Sequence, residues 1–173
     1  NDDARFLAVD AEGNAYVTGA SLRRTAGPDE TSHEDIATLK YDPDGKELWT
    51  VSYNGGGAMN DVAVALLVDG RGPVYIAGTA YGLAGDSRAR YVTVKYGPNG
   101  EQLWSARHEG HEGTEAVAYA AAVDTSGVYV LGSEGGGPGR EQQLVAVKLG
   151  PDGSERWVVR RDGMTTGGAR ALA

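Results

Sequence analysis

The sequence predicts an all-β protein made of three similar four-stranded units. Its 173 residues include 27 glycines, nine tyrosines and three tryptophans but one phenylalanine, a composition typical of many turns and short strands. The segment VDAEGNAYVTG at 9–19 returns as VDGRGPVYIAG at 68–78 and as VDTSGVYVLG at 123–132. A second segment ends at tryptophan each time, in LKYDPDGKELW, VKYGPNGEQLW and VKLGPDGSERW. Both segments recur at a spacing of about 55 residues, so one unit is repeated along the chain.

Each unit is interpreted as four strands, A to D, joined by tight turns and longer links. An Asp followed closely by Gly predicts the A–B turn, because Asx side chains bond the backbone just ahead and Gly accepts positive φ. The DPDG, GPNG and GPDG tetrads predict the C–D turn, since Pro presets φ and Gly takes the left-handed position. In the middle unit the predicted strands are A at 63–69, B at 74–78, C at 91–96 and D at 101–106.

Four strands in such a period favour β-propeller blades, which are four-stranded sheets packed radially around a channel. Strand A is rich in small residues, as in AVAYAAAVD at 116–124, which suits a strand crowded near a central axis. The bulky Trp49, Trp104 and Trp157 fall on strand D. The predicted blades span approximately residues 2–55, 56–111 and 112–163, and 164–173 begin strand A of a fourth, because ARALA at 169–173 matches ARFLA at 4–8.

A β-trefoil stays open as the alternative, because it also combines three repeats of four strands. The beginning of a fourth repeat is not needed by a closed trefoil. Propellers close with about four to eight blades, so we expect this chain to form an open arc. It would then belong to a longer propeller, which is the favoured expectation, or complete a six-bladed ring with a second copy.

The consensus A-V-D-x-x-G-x-x-Y-V-x-G followed by K-Y-x-P-x-G-x-x-L-W runs through nearly the whole chain. It resembles the SBBP-type β-propeller repeat of bacterial secreted and cell-surface proteins. The third copy departs from it at Leu149, where the others have Tyr41 and Tyr96, and at Arg156, where the others have leucine. The resemblance implies an extracellular, cell-surface or periplasmic protein, and it brings no set of catalytic residues.

Composition excludes several classes of function. The formal net charge is -8, and the 16 basic residues are scattered, whereas nucleic-acid binding needs a dense basic footprint. No apolar run approaches the roughly 20 residues of a membrane helix, so membrane insertion is not expected. The chain has no cysteine, which excludes disulfides and thiolate chemistry.

The recurring polar and aromatic residues have structural explanations. The aspartates Asp10, Asp69 and Asp124 are predicted to cap their turns. The three tryptophans are predicted to pack between neighbouring blades. The lysines Lys40, Lys95 and Lys148 are expected to extend along a strand face or to pair with an acid on the next blade.

No catalytic residues and no cofactor are predicted. The sequence has no serine in a GxSxG motif and no phosphate-binding GxxxxGK[ST],. The segment RHEGHEGTE at 107–115 offers a weak metal candidate in His108, His111 and Glu112, because zinc and related metals accept imidazole and carboxylate ligands. A solvated acidic loop is the simpler interpretation of this segment.

A ligand is expected at the end of the blades that carries the B–C and D–A links. Antiparallel strands place the A–B and C–D turns at the opposite end, where lengths hardly vary, and variable loops on a fixed frame usually carry function. The candidate ligand-binding residues are Arg23, Arg24, His33, Arg88, Arg90, His108, His111 and Arg140.

We therefore expect a non-enzymatic propeller module that binds a protein or a glycan or spaces adjoining domains. The alternative is a propeller enzyme, a hydrolase or lyase acting on an extracellular polymer at the pore mouth. Such an enzyme would gather acidic or histidine side chains from several blades at one end, with shifted pKa values.

Overall fold

The computed structural model describes residues 2–24, 32–56, 59–69, 72–82, 87–135 and 142–162. Three four-stranded antiparallel sheets follow one another along the chain, each in the order first, second, third, fourth strand. Sheet I contains β1 (Asp2–Val9), β2 (Ala15–Arg24), β3 (Ser32–Tyr41) and β4 (Glu47–Tyr53). Sheet II contains β5 (Val62–Val68), β6 (Val74–Ala80), β7 (Arg90–Tyr96) and β8 (Gln102–His108). Sheet III contains β9 (Ala116–Asp124), β10 (Gly127–Gly135), β11 (Gln142–Leu149) and β12 (Glu155–Arg161).

The all-β class and the three four-stranded antiparallel units are confirmed. One short 3₁₀ turn, His111–Gly113, interrupts the link between β8 and β9. The predicted fourth-unit start, 164–173, lies outside the described residues. The described part of the chain contains no helix with the length and apolarity needed to cross a membrane.

A glycine in the second strand of each sheet explains the last residue of the first repeated segment. Gly19, Gly78 and Gly132 lie beside irregularities in the pairing of the first two strands. A Cβ atom at any of them would collide with a backbone oxygen of the first strand, that of Asp3, Val62 or Val117. The recurring glycine therefore permits the close approach of two strands.

Consecutive sheets pack against each other through two apolar clusters. We call the face of a sheet that packs on the preceding sheet its leading face, and the opposite face its trailing face. Sheet II places Ile76 and Val94 on its leading face, against Tyr16 and Ile36 of sheet I. Its trailing face carries Tyr75 and other residues into the cluster with sheet III. Each cluster is thus built from a trailing face and the next leading face.

The two outer faces of this row of sheets are left without a neighbour among the described residues. On the leading face of sheet I, Leu7 is 69% exposed and Val9 is 59% exposed. On the trailing face of sheet III, Trp157 is 40% exposed and Val159 is 47% exposed. The equivalent positions inside the row are packed in the two clusters.

Candidate functional site

The turn end, where the A–B and C–D turns lie, carries one row of side chains in every sheet. The backbone register aligns Tyr16, Lys40 and Trp49 across β2, β3 and β4. The Lys40 ammonium lies 5.1 Å from the Tyr16 ring centroid, and the Tyr16 and Trp49 rings are 6.0 Å apart. The same contacts recur in sheets II and III, so cation–π attraction and ring packing hold each row together,.

The aspartate of the A–B turn anchors the tyrosine of this row. Asp10 Oδ1 accepts the backbone N–H groups of Glu12 and Asn14, and Asp10 Oδ2 accepts the Tyr16 hydroxyl at 3.0 Å. Burial alone would raise the pKa of the Asp10 carboxyl, but a hydrogen bond from the Asn14 side chain at 2.8 Å, together with the bonds above, outweighs it and lowers the pKa. In sheet III, the Tyr129 hydroxyl donates to Asp124 at 3.1 Å in the same way. The capping role predicted for these aspartates is therefore seen in sheets I and III.

Each tryptophan with a following sheet binds the C–D turn of that sheet. Trp49 Nε1 donates to the Pro98 carbonyl at 2.9 Å, and Trp104 Nε1 donates to the Pro151 carbonyl at 3.0 Å. A Cβ atom on the turn glycine would crowd the indole, as at Gly100, where it would lie 3.0 Å from Trp49 Cγ. The predicted packing between neighbouring units is confirmed, and its partner is the Pro-x-Gly turn.

A cavity of about 530 Å³ also lies at the turn end, between sheets II and III. Its lining combines the apolar Val68, Pro73 and Val123 with the charged Asp69, Lys95 and Asp124. Lys95 Nζ reaches the Pro151 carbonyl at 3.4 Å. The cavity lies at the end opposite the predicted ligand-binding residues.

The loop end, where the B–C and D–A links lie, holds buried ionisable groups between the sheets. Between sheets I and II, the Asp61 carboxylate is 2% exposed. It accepts backbone N–H groups of Gly55 at 2.6 Å and Tyr81 at 3.3 Å. Burial raises the pKa of Asp61, and the two backbone hydrogen bonds oppose this increase without cancelling it.

Beside Asp61, sheet I contributes a second buried acid with a histidine. His33 Nε2 lies 3.4 Å from Asp35 Oδ1, and both residues are almost fully buried. Neither ring nitrogen of His33 has a hydrogen-bond partner among the described residues, nor does Asp35 Oδ1. Arg23 Nη1 lies 3.3 Å from Asp35 Oδ2 and covers the acid from the solvent side.

Between sheets II and III, the loop end contains a denser ionic network. His108 Nε2 lies 2.5 Å from Glu134 Oε1, and His108 Nδ1 lies 2.7 Å from Glu155 Oε2. Glu134 is 1% exposed and accepts Arg160 Nε at 3.0 Å and the His111 backbone N–H at 3.0 Å. Burial would raise the pKa of Glu134, but the bonds from Arg160, His108 and His111 lower it.

The structure places some of the candidate ligand-binding residues in the interior and others on the surface of the loop end. His33 and His108 are buried, and Arg90 is 7% exposed beside Glu109. Arg23, Arg24, Arg88 and His111 are on the surface of the loop end. Arg140 lies outside the described residues.

The weak metal candidate gains no support from the geometry. His108 directs both ring nitrogens at carboxylates of sheet III, while the exposed His111 uses its backbone N–H to bind Glu134. The side chain of Glu112 is outside the described part. No group of three histidine or acidic residues within the described residues is arranged to hold a metal ion.

Sequence reasoning missed the buried acids Asp35, Asp61 and Glu134. A comparison of the three copies contains a signal for two of them. Glu134 stands where the other copies have Ser21 and Ala80, and Asp61 stands where the third copy has Ala116. A charge at a position that is small or apolar in a sister repeat indicates a local partner, but it does not identify that partner.

A scan against protein-family models and a search of curated proteins found no match to this chain.

Proposed function

We propose that the chain is a β-propeller repeat module, of the SBBP type, from a bacterial secreted or cell-surface protein. Its role would be to bind a protein or a glycan, or to space adjoining domains, without catalysis. The three sheets are consistent with blades, because all strand pairing in the described residues stays within one repeat. A β-trefoil, the other arrangement compatible with the sequence, is less consistent with three separate sheets.

The way the sheets approach each other supports the blade assignment. Most of the backbone proximity between sheets involves β5 or β9, the first strand of the following sheet. The first strands of sheets II and III also contain many small residues, such as Ala116, Ala118 and Ala121. First strands that lie against the preceding sheet are what radial packing around a channel requires.

One observation carries the proposal of a binding role: the two ends of the sheets differ in how uniform they are. The turn end repeats the same tyrosine, lysine and tryptophan contacts in all three sheets. The loop end has different side chains in each sheet and exposes Arg24, Arg88 and His111. Diverse surface groups on a uniform frame are the usual arrangement of a binding surface.

A matched pair of charge reversals tests which end binds. Arg24 and Lys46 are exposed cations at opposite ends of sheet I. Purified chain would be applied to an array of bacterial surface and exopolysaccharide glycans and to immobilised extracellular proteins. We expect Arg24→Glu to weaken the strongest signal at least several-fold and Lys46→Glu to leave it unchanged. The reverse pattern would place the ligand at the turn end and contradict the proposed binding surface. No signal above an unrelated acidic protein would overturn the binding role and favour the spacer role.

The second candidate is an enzyme acting on an extracellular polymer, and one observation favours it. Histidine and acidic side chains from all three sheets gather at the loop end, and the pKa of Asp61 is raised by burial. Against it, Asp61 and Glu134 are 2% and 1% exposed, so a polymer could not reach either carboxylate. Release of new reducing ends from a polysaccharide, abolished by Asp61→Asn, would favour the enzyme over the binding module.

A further inference from the structure

We propose that a second copy of this chain docks the leading face of its sheet I on the trailing face of sheet III. Two such contacts would close a ring of six sheets. The proposal rests on the packing of the described sheets and is independent of any ligand at the loop end. It follows from the contact between consecutive sheets. Within the described residues this contact occurs twice, and each of its two faces also occurs once without a neighbouring sheet.

The trailing face of sheet III has the side chains of that contact without the neighbour. Trp157 is 40% exposed, whereas Trp49 and Trp104 are half-buried. Tyr129 is also less buried than Tyr16 and Tyr75, which are 0% and 3% exposed. Its row is already assembled, since the Tyr129 and Trp157 rings are 6.0 Å apart and Lys148 lies 4.7 Å from the Tyr129 ring centroid. The face is therefore formed and needs no rearrangement before docking.

The leading face of sheet I has the complementary half. Leu7 and Val9 are exposed, while their counterparts in sheet II, Leu66 and Val68, belong to the cluster with sheet I. At the turn end, a Cβ atom on Gly45 would meet nothing within 4 Å, whereas the equivalent Gly100 lies against Trp49. The open space beside Gly45 therefore corresponds to the space beside Gly100 that the Trp49 indole fills.

Residues at equivalent positions of the three sheets predict which contacts a second copy would make. Trp157 would pack on Gly45 and donate its Nε1–H to the Pro43 carbonyl, as Trp104 donates to Pro151. At the loop end, Arg161 stands at the position of His108, which reaches Glu134. The equivalent place on sheet I holds Ser21, which is bonded to the exposed Asp2 at 2.9 Å. An arginine would thus approach a carboxylate, so charge is complementary as well as apolar surface.

The geometry favours a second copy over an unrelated partner because each exposed face matches one that the same chain already has. A contact between two different faces either closes into a ring or continues as a fibre. Propellers contain about four to eight blades, and two copies of three sheets fall in that range while three copies do not. Closure by two copies is therefore the outcome that we expect for the three described sheets in the 173-residue chain.

Sedimentation equilibrium of the 173-residue chain at micromolar concentration tests the proposal. We expect a dimer, with a blue shift of tryptophan emission on association as Trp157 is covered. Leu7→Glu and Val159→Glu each place a charge in one half of the contact and should each give a monomer. Both side chains are largely exposed in the single chain, so cooperative unfolding should be preserved.

The matched control is Leu103→Arg. Leu103 is 49% exposed but lies on neither packed face, and sheet III has Arg156 at the equivalent position. This variant should dimerise like the original chain. A monomeric original chain, a dimer that persists in both glutamate variants, or a loss of dimer in Leu103→Arg would overturn the proposal.

Mixing the two glutamate variants separates a head-to-tail contact from a symmetric one. The intact trailing face of the Leu7→Glu chain can bind the intact leading face of the Val159→Glu chain. We expect the mixture to form a one-to-one complex through one contact, weaker than the original dimer. A symmetric dimer would gain nothing from mixing, and that result would contradict the proposed geometry.

Discussion

The contact between sheets I and II and the contact between sheets II and III are alike at one end and different at the other. At the turn end, both join a tryptophan to a proline carbonyl at 2.9 or 3.0 Å. At the loop end, both keep a backbone hydrogen bond, from Asp61 N to Glu34 O and from Ala116 N to Ala89 O. The side chains around that bond are arranged differently. The first contact has Asp61 bound by backbone N–H groups beside the His33–Asp35 pair, whereas the second has His108 and Arg160 bound directly to Glu134.

This difference separates the residues that hold consecutive sheets together from the residues that can vary from one repeat to the next. The turn-end contact uses the same residue types both times, because the indole donates to a backbone carbonyl of the turn and lies so close to the turn glycine that a Cβ atom there would crowd it. The loop end needs only that buried charges have partners. Different sets of side chains meet that condition, so this end can vary from copy to copy while the sheets stay packed.

The largest expected effect comes from replacing the tryptophans that form the turn-end contact, which both pairs of sheets share. Trp104→Ala and Trp49→Ala should each destabilise the chain by about 3 kcal/mol, the lower part of the range for buried aromatics, because both indoles are half-buried,. Trp157→Ala should cost less than about 1 kcal/mol in dilute protein, where its face has no neighbour. Urea unfolding measures all three, and an equal loss for Trp104 and Trp157 would show that the C–D turn contact is not the source of stability.

A smaller effect is expected from the network that distinguishes the second contact. Glu134→Gln keeps the shape but removes the charge that Arg160 and His108 bind, and loss of bonds to a charged group costs about 1.5–3 kcal/mol. Asp3→Asn is the control, because Asp3 is 63% exposed beside the exposed Arg5 and a surface pair is worth less than about 1 kcal/mol,. Thermal and urea unfolding should rank the two variants in this order, and similar losses would contradict the importance of burial.

The sequence predicts the contacts at the turn end of the sheets better than those at the loop end. The turn-end residues recur at fixed spacing, so their turns, strands and packing role could be predicted. Two roles were expected for the lysines, extension along a strand face or pairing with an acid on the next unit. Among the described residues Lys95 forms no ion pair with the next unit, and it lies over Tyr75 and reaches the Pro151 carbonyl. The loop-end partners could not be predicted, because Glu134 meets His108 across two sheets and 26 residues. Nothing in a single copy indicates that these two side chains meet.

Arg107 and Arg160 stand at equivalent positions in sheets II and III, and they test the difference between the two inter-sheet contacts. Arg107 Nη2 donates to the Gly55 carbonyl at 3.0 Å and lies 3.4 Å from the Tyr53 hydroxyl, whereas the equivalent Arg160 binds the buried Glu134. Arg107→Met should cost about 1 kcal/mol, because it removes bonds to neutral groups. Arg160→Met should cost more, since it leaves a buried carboxylate with fewer partners. Equal costs in urea would mean that the two contacts are equivalent after all.

The smallest expected effect is on the pH dependence of stability, to which Asp61 and Glu134 contribute in opposite directions. The pKa of Asp61 is raised in the folded chain, so the folded state binds more protons, and its contribution to stability falls as pH rises from about 3.8 through the raised value,. The pKa of Glu134 is lowered, so its contribution is present above about 4.5 and is lost as pH falls through the lowered value,.

Two variants separate these opposed contributions. Between about pH 3 and 6, Asp61→Asn should make the free energy of unfolding rise more steeply with pH than in the original chain, because the falling component is gone. Glu134→Gln should make the same curve flatter or reverse it. Urea unfolding at half-unit pH intervals measures both slopes. If both variants shifted the slope in the same direction, the two contacts would hold their acids in the same way, and the contrast between them would be confined to the identity of the side chains.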